Sequence, residues 1–296
     1  MIHQRLKVLV TGASGFIGMN IARYLKERSI VMGTYFNHPY TMMDIPMLSL
    51  DLRDGRALAM MVFEMRPYAV VHCAALTDAE FCEKNRALAS LINVEGTRRL
   101  ARVARDIGAR MIYLSTDLVF NGEKGWYRED DPVSPVQMYG ETKVRGEEAI
   151  MEEHDNAAIL RVGLVYGSSP LETRSASEWP LHEIQQGRTP TLFTDQFRTP
   201  TSALNIARVV GELLDHSFTG ILHVAGPDRM SRYEFGCALL EAYGVSLSRI
   251  KPGSIEDLPS VSTRPRDSSL NTDLARSLLK TPLLGVNEGL WEIVLK

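Results

Sequence analysis

The stretch that most restricts the fold is an apolar run, Leu6 to Val10, that passes directly into Gly12, Gly15 and Gly18. Phe16, Ile17, Ile21 and Leu25 then recur at helical spacing, so the local order is strand, glycine turn, helix. Glycine lets the backbone come close to a bound group, and a helix amino terminus offers free N–H groups with positive potential. Together they suit the pyrophosphate of a dinucleotide, an arrangement found in doubly wound parallel α/β sheets. Gly12, Ser14, Gly15, Phe16, Ile17 and Gly18 are the candidate contacts. A glycine triplet alone is commonly a plain turn; the strand before it and the helix after it distinguish this one.

Ile30 to Tyr35 reads as the second strand, and its end discriminates between nicotinamide cofactors. An acid about twenty residues past the glycines binds the ribose 2′-hydroxyl and repels a 2′-phosphate. Residues 33–43 hold none, which favours NADP(H) and leaves NAD(H) open. Ser14, Asn37, His38 and Arg53 are the polar candidates there, with His38 read as an exposed loop histidine, and Asp54 reads as a helix cap. Ala69 to Ala75 is a nearly unbroken apolar run, as expected of a strand buried on both faces, and Cys73, Ala74 and Ala75 are small enough for a cofactor to pass close. His72 within that run reads as a core histidine, since no second ligand cluster accompanies it, and no metal is expected.

The chemistry is placed between Met111 and Lys143. Met111 to Leu114 reads as a buried strand that ends in the hydroxyls of Ser115 and Thr116, and a helix is predicted from Tyr139 to about His154. Tyr139 and Lys143, four residues apart, share a face of that helix. A phenol of pKa about 10 is a poor acid or base at neutral pH, and a neighbouring ammonium would draw it toward the working range. By itself Tyr-x-x-x-Lys is a common exposed helix pattern; Thr116 and the amino-terminal glycines give it weight.

Thr11-Gly12-Ala13-Ser14-Gly15-Phe16-Ile17-Gly18, Ser115-Thr116-Asp117 and Tyr139-x-x-x-Lys143 together resemble the extended short-chain dehydrogenase/reductase superfamily. Within it, STDLVFNG, YGETKVRGE, LRVGLVYG, DQFRTPT and RPRDSSL are similar, in order and over nearly the whole chain, to the dTDP-4-dehydrorhamnose reductase family. The resemblance implies a Rossmann-type NAD(P)-binding domain over 1–165, completed by parts of 190–226, and a smaller, mainly substrate-binding lobe over 166–296. It implies a third strand at Leu48 to Leu52 with Asp51 and Leu52 at the adenine, and cofactor contacts at Ser115, Tyr139, Lys143 and Val165. Asn93, in NVEGT, is implied to help position the strand carrying Thr116, or else to be a structural interior asparagine.

The implied reaction is reduction of the ketone of dTDP-4-dehydro-6-deoxy-L-mannose: Tyr139 donates the proton, Lys143 holds the ribose and tunes Tyr139, and Thr116 hydrogen-bonds the carbonyl oxygen. Asp117, Val119, Tyr166, Arg198 and Arg264 are the implied substrate contacts, with Arg266 a further candidate clamp for a diphosphate. Two positions depart from the family pattern, both near the substrate: Leu164 replaces the aromatic residue of an LRTSW-type strand end, and Arg198 replaces the glycine of DQFG. A nucleotide-sugar epimerase or dehydratase on the same fold is the rival enzyme reading. A regulatory role like that of the methionine adenosyltransferase beta subunit is the rival from another class.

Thirty-six acids against 33 bases, a net charge of −3, speak against a nucleic-acid partner. Three cysteines without Cys-x-x-Cys spacing suggest reduced thiols, and no stretch of eighteen apolar residues calls for a membrane. A cytoplasmic enzyme acting on a nucleotide-sugar is expected, with a homodimer left open.

Overall fold

A computed structural model describes residues 5–39, 44–168, 175–257 and 261–294. In chain order the first part comprises β1 (Lys7–Thr11), α1 (Phe16–Leu25), β2 (Ile30–Tyr35), β3 (Met47–Ser49), α2 (Gly55–Met65), β4 (Ala69–His72), α3 (Ala79–Lys84), α4 (Arg86–Ser90), α5 (Thr97–Asp106), β5 (Arg110–Thr116), α6 (Met138–Glu153) and β6 (Ala157–Val162). After these come β7 (Val165–Tyr166), α7 (Glu178–Gln185), β8 (Thr191–Phe193), β9 (Phe197–Arg198), β10 (Thr201–Ser202), α8 (Ala203–Leu213), β11 (Gly220–Val224), β12 (Met230–Ser231), α9 (Arg232–Ala242), β13 (Lys251–Gly253), α10 (Asp273–Leu278) and α11 (Val286–Val294).

Seven strands form one parallel sheet in the order β11-β6-β5-β4-β1-β2-β3. Every neighbour in it is parallel. The central strands β4, β5 and β6 are buried along their whole length, because apolar clusters cover both faces. Met19, Ile21, Ile206 and Val210 of α1 and α8 pack on one face, and Leu58, Val62, Leu100 and Ala104 of α2 and α5 on the other. Strand order reverses between β1 and β4, so a crevice opens at the carboxyl ends of those strands.

Several boundaries differ from those read off the sequence. The third strand ends at Ser49, short of Asp51 and Leu52, and the fourth ends at His72, after which Cys73 and Ala74 turn over Gly12. The helical region after Glu80 is broken, with a π-helical turn at Leu91–Gly96 containing Asn93. The carbonyl of Asn93 accepts from the Thr97 hydroxyl at 2.7 Å, and such widened turns recur where a side chain is re-aimed. The final helical region is two helices, α10 and α11, separated by Pro282, which cannot continue a helix. Of the 190–226 segment, β11 completes the large sheet while β8 pairs with β13 instead. Tyr40 to Met43, the end of the segment read for cofactor preference, lies outside the described residues.

Candidate active site

At the amino-terminal turn Gly12 adopts φ +66°, and a Cβ there would stand 2.7 Å from the Ala74 Cα. Gly18 is equally constrained, 2.3 Å from the Gly12 carbonyl. Helix α1 starts after Gly15 with no capping side chain and no acid in its first turn. Its first amides therefore face the crevice without a protein anion, and the tight glycine cradle fits a dinucleotide pyrophosphate. Thr11 supports this turn: its hydroxyl meets His72 Nδ1 at 2.7 Å and accepts from the Ala74 N–H at 3.3 Å. His72 Nε2 meets the Thr97 hydroxyl at 3.0 Å, and burial lowers the imidazole to about 3. It is a neutral core histidine, as its sequence context suggested.

At the far end of this crevice Phe36, Asn37 and His38 are exposed. The Arg53 guanidinium lies 5.4 Å from the Phe36 ring centroid and pairs with Asp51 at 2.6 Å. That hydrogen bond holds the Asp51 carboxyl below its ordinary value. Leu52 requires correction: its side chain is buried against Gly96 in the sheet's apolar layer, so it is core rather than adenine-facing.

The structure brings Thr116 and Tyr139 together. Thr116 is at the carboxyl end of β5 and Tyr139 is in the first turn of α6; the Thr116 hydroxyl donates to Asp117 Oδ1 and accepts from the Leu118 N–H, both at 3.2 Å, and its nearness acts to lower the phenol's pKa. Burial nevertheless raises Tyr139 well above its ordinary value, and the charge of Asp117 adds to the rise. Tyr139 is thus a neutral phenol that burial makes a weaker acid than a free tyrosine.

Lys143 sits on the same helical face, but its ammonium is aimed elsewhere than expected. Nζ donates to the Leu114 carbonyl at 2.6 Å and lies 3.9 Å above the Tyr113 ring, and burial lowers it to about 7. Direct tuning of Tyr139 by Lys143, expected from their spacing, is not what this geometry produces; burial governs the phenol. Cys73 is close by, its thiol pushed up to about 12 by burial and so inert as a nucleophile.

Asn93 takes the second of its two readings, that of a buried interior asparagine. Its side chain accepts from the Leu76 N–H at 2.8 Å and donates to the Leu76 carbonyl at 3.0 Å and to the Thr142 hydroxyl at 2.9 Å. It ties the loop after β4 to α6 rather than gripping the strand of Thr116. Ser115 anchors the same helix from the strand side by donating to the Glu147 carboxylate, which also receives Arg161 Nε and Nη2.

On the substrate side the expected residues separate. Asp117 is buried and forms a two-pronged ion pair with Arg198, joined by the Ser268 hydroxyl at 3.3 Å. Burial raises the Asp117 carboxyl, and the Arg198 charge opposes that rise. Val119 and Tyr166 need correction as substrate contacts. Val119 is packed among Phe120, Tyr127 and Leu270, and Tyr166 lies against Phe235 with its hydroxyl donating to the Val286 carbonyl. Both are core side chains without a face on the cleft. Val165 is half-buried at the neighbouring strand. The cleft is lined by Asp78, Glu80, Gln137, Gln196, Arg198 and Arg264, among others, and Arg264 lies 5.3 Å from the Phe193 ring centroid. Arg266 is at the surface in ion pairs with Asp195 and Glu256.

The sequence reading missed Tyr113 and the Glu147–Arg161 pair. Only Arg161 carried a signal, a charge inside the apolar strand AAILRV. Among the described residues, no three His, Cys, Asp or Glu side chains cluster as a metal site, and no helix is long and apolar enough to cross a membrane.

Over residues 6–295 the sequence matches the family described as the RmlD substrate binding domain. The chain belongs to that family. This RmlD-type chain is similar to a probable low-salt glycan biosynthesis reductase, Agl14, of Haloferax volcanii, at 35% identity over 266 residues, covering 88% of this chain and 88% of that protein. It is also similar to the methionine adenosyltransferase 2 subunit beta of Bos taurus, at 31% identity over 301 residues, covering 98% and 88%. Among solved structures it superposes on a dTDP-4-dehydrorhamnose reductase from Bacillus anthracis in complex with NADP, with TM-score 0.87 and 25% identity over 100% of this chain and 99% of that one. The RmlD-type chain is an extended short-chain dehydrogenase/reductase, with the Rossmann-type sheet of the NAD(P)-dependent members of that superfamily.

Proposed function

We propose that this protein reduces the ketone of a nucleotide-linked 4-ketosugar with NAD(P)H, with dTDP-4-dehydrorhamnose as the substrate the family favours. The observation that carries the reading is the meeting of the Thr116 hydroxyl and the neutral Tyr139 phenol at the carboxyl end of β5. A bound reduced nicotinamide supplies hydride to the carbonyl carbon. The chain's own part is to receive the negative charge that develops on the oxygen: Tyr139 gives up its proton there and Thr116 donates a hydrogen bond to it. Gly12, Gly15, Gly18 and the first amides of α1 hold the pyrophosphate, and Ala74 lies close enough to the turn to line the cofactor's path. NADP(H) is the preferred cofactor in this reading, since the acid that would reject a 2′-phosphate is absent from residues 33–39 and Arg53 lies beside Phe36. The three cysteines are free thiols, in keeping with a reducing, cytoplasmic setting.

Replacing Tyr139 with phenylalanine keeps the ring and deletes the acid. General acid catalysis contributes about 100-fold to 10,000-fold, so turnover of NADPH with a panel of nucleotide 4-ketosugars should fall by that order while NADPH affinity is retained. An unchanged rate in Y139F would remove Tyr139 from the mechanism. A second reading, a regulatory subunit, is favoured by the 31% identity to the methionine adenosyltransferase subunit over 98% of the chain. No oxidation of NADPH by any ketosugar in the panel, together with stable association with a synthetase, would select it.

A further inference from the structure

We propose that Tyr113 is a positioning residue whose ring face holds the Lys143 ammonium in place for the nicotinamide ribose. The inference rests on the cofactor reading above, with Lys143 at that ribose, and identifies what fixes the amine there.

Periodicity brings the two side chains together. Alternate residues of a strand share a face, so Tyr113 and Ser115 leave β5 on one side. On α6 the facing positions are Lys143, Gly146 and Glu147, which helical spacing places on a common stripe. Ser115 donates to Glu147, and Lys143 Nζ lies 3.9 Å from the Tyr113 ring centroid. Gly146 lets the helix lie this close, because a Cβ there would stand 2.5 Å from the Tyr113 hydroxyl.

Chemistry then assigns the work to the ring. Tyr113 and Lys143 are 1% and 2% exposed. An ammonium carries three N–H donors, and the Leu114 carbonyl takes one of them at 2.6 Å. Of the other groups around it, Glu147 is committed to Arg161 and Ser115, and His72 is held between the Thr11 and Thr97 hydroxyls. Cys73 is a protonated thiol. The negative face of the Tyr113 ring is therefore the counterpart left for this charge, and withdrawal from water strengthens such a contact. The Tyr113 hydroxyl takes no part: it is buried without a hydrogen-bond partner among the described residues, and the Thr97 hydroxyl is engaged with the Asn93 carbonyl and His72. With the carbonyl and the ring fixing its position, the amine keeps a donor for a ribose hydroxyl.

The test is fluorescence titration of NADPH into wild type, Tyr113→Phe, Tyr113→Leu, Lys143→Met and the double variant Tyr113→Leu with Lys143→Met. The phenylalanine variant keeps the ring and should bind as wild type does. The leucine variant should bind about 10-fold to 30-fold more weakly, since an amine without its platform populates the binding position less. The double variant should bind as Lys143→Met alone does, because Tyr113 acts only through that amine, whereas a packing defect would add to the lysine loss. Should Tyr113→Leu not fold, Tyr113→Phe carrying one, two or three ring fluorines drains the ring face at nearly constant size, and affinity should fall stepwise with fluorination. The proposal is overturned if Tyr113→Leu binds as tightly as wild type, if Tyr113→Phe loses as much as Tyr113→Leu, if affinity ignores fluorination, or if the two losses add. Unchanged affinity in Lys143→Met removes Lys143 from the cofactor and the proposal with it. NADPH oxidation with ketosugars is read separately, and ring-dependent NADPH binding without any ketosugar reduction sinks the reductase reading alone.

Discussion

Replacing Glu147 with alanine removes one member of an ion pair whose side chains are 2% and 3% exposed. In the native fold the carboxylate accepts Arg161 Nε at 3.1 and 3.2 Å, Arg161 Nη2 at 2.7 Å and the Ser115 hydroxyl. Without it, Arg161 keeps, among the described residues, only a 3.5 Å contact from Nη1 to the Glu129 carbonyl and the Phe120 ring at 5.2 Å. A buried charge stripped of its partner costs about 3–5 kcal/mol. At a few degrees per kcal/mol for a chain of this size, Tm should fall by about 5–15 °C. Urea and thermal unfolding of the cofactor-free protein would measure it. The double variant Glu147→Leu with Arg161→Met should recover most of the loss, because matched apolar replacements of a buried pair are near neutral. A loss under about 1 kcal/mol, the value of a surface pair, would refute the claim that this pair clamps α6 to β5 and β6. Full recovery of turnover in the double variant would show that the pair acts by holding the helix of Tyr139 and not through its charge.

Gly12→Ala should abolish cofactor binding and lower stability by about 1–3 kcal/mol, since a Cβ at φ +66° also meets Ala74 at 2.7 Å; normal NADPH affinity by fluorescence titration would contradict this. Lys143 yields a pH dependence. The unfolded chain keeps its proton to about pH 10, whereas the fold releases it near 7 because of burial. The unfolded state therefore binds more protons between those values, and stability rises with pH across that window. Lys143→Met should be more stable than wild type at and below neutral pH, and the gap should close toward pH 10 in paired unfolding curves. A gap independent of pH would mean that Lys143 keeps its proton in the fold.

Much of the scaffold was legible because its signals are local. Leu6 to Val10 before three glycines, the helix predicted from Tyr139 and the cap at Asp54 each depend on a few adjacent residues, and the fold realises all three, the helix starting one residue earlier. Tyr139 and Lys143 were legible as a pair for the same reason, since helical spacing is a property of the chain alone. Which group each of them addresses was not. Lys143 turns to Leu114 and Tyr113, which lie some thirty residues earlier and become its neighbours only when β5 pairs beneath α6.

The substrate side was the least legible part. Val119 and Tyr166 lie in family-like motifs, yet strand pairing and the Phe120 and Phe235 clusters turn them into the core. Arg198 read as a clamp for a diphosphate, and its pairing with Asp117 arises only in the closed fold.

By itself the sequence determined the dinucleotide turn, the alternation of strands and helices, and the identity of the hydroxyl, phenol and amine available for chemistry. Tertiary structure decided which charges meet. Asp117 and Arg198 are 81 positions apart and neutralise one another only because the β9 ribbon folds back over the end of β5. Backbone periodicity is written within a few residues, whereas an electrostatic balance belongs to groups that only the closed fold brings within reach of each other.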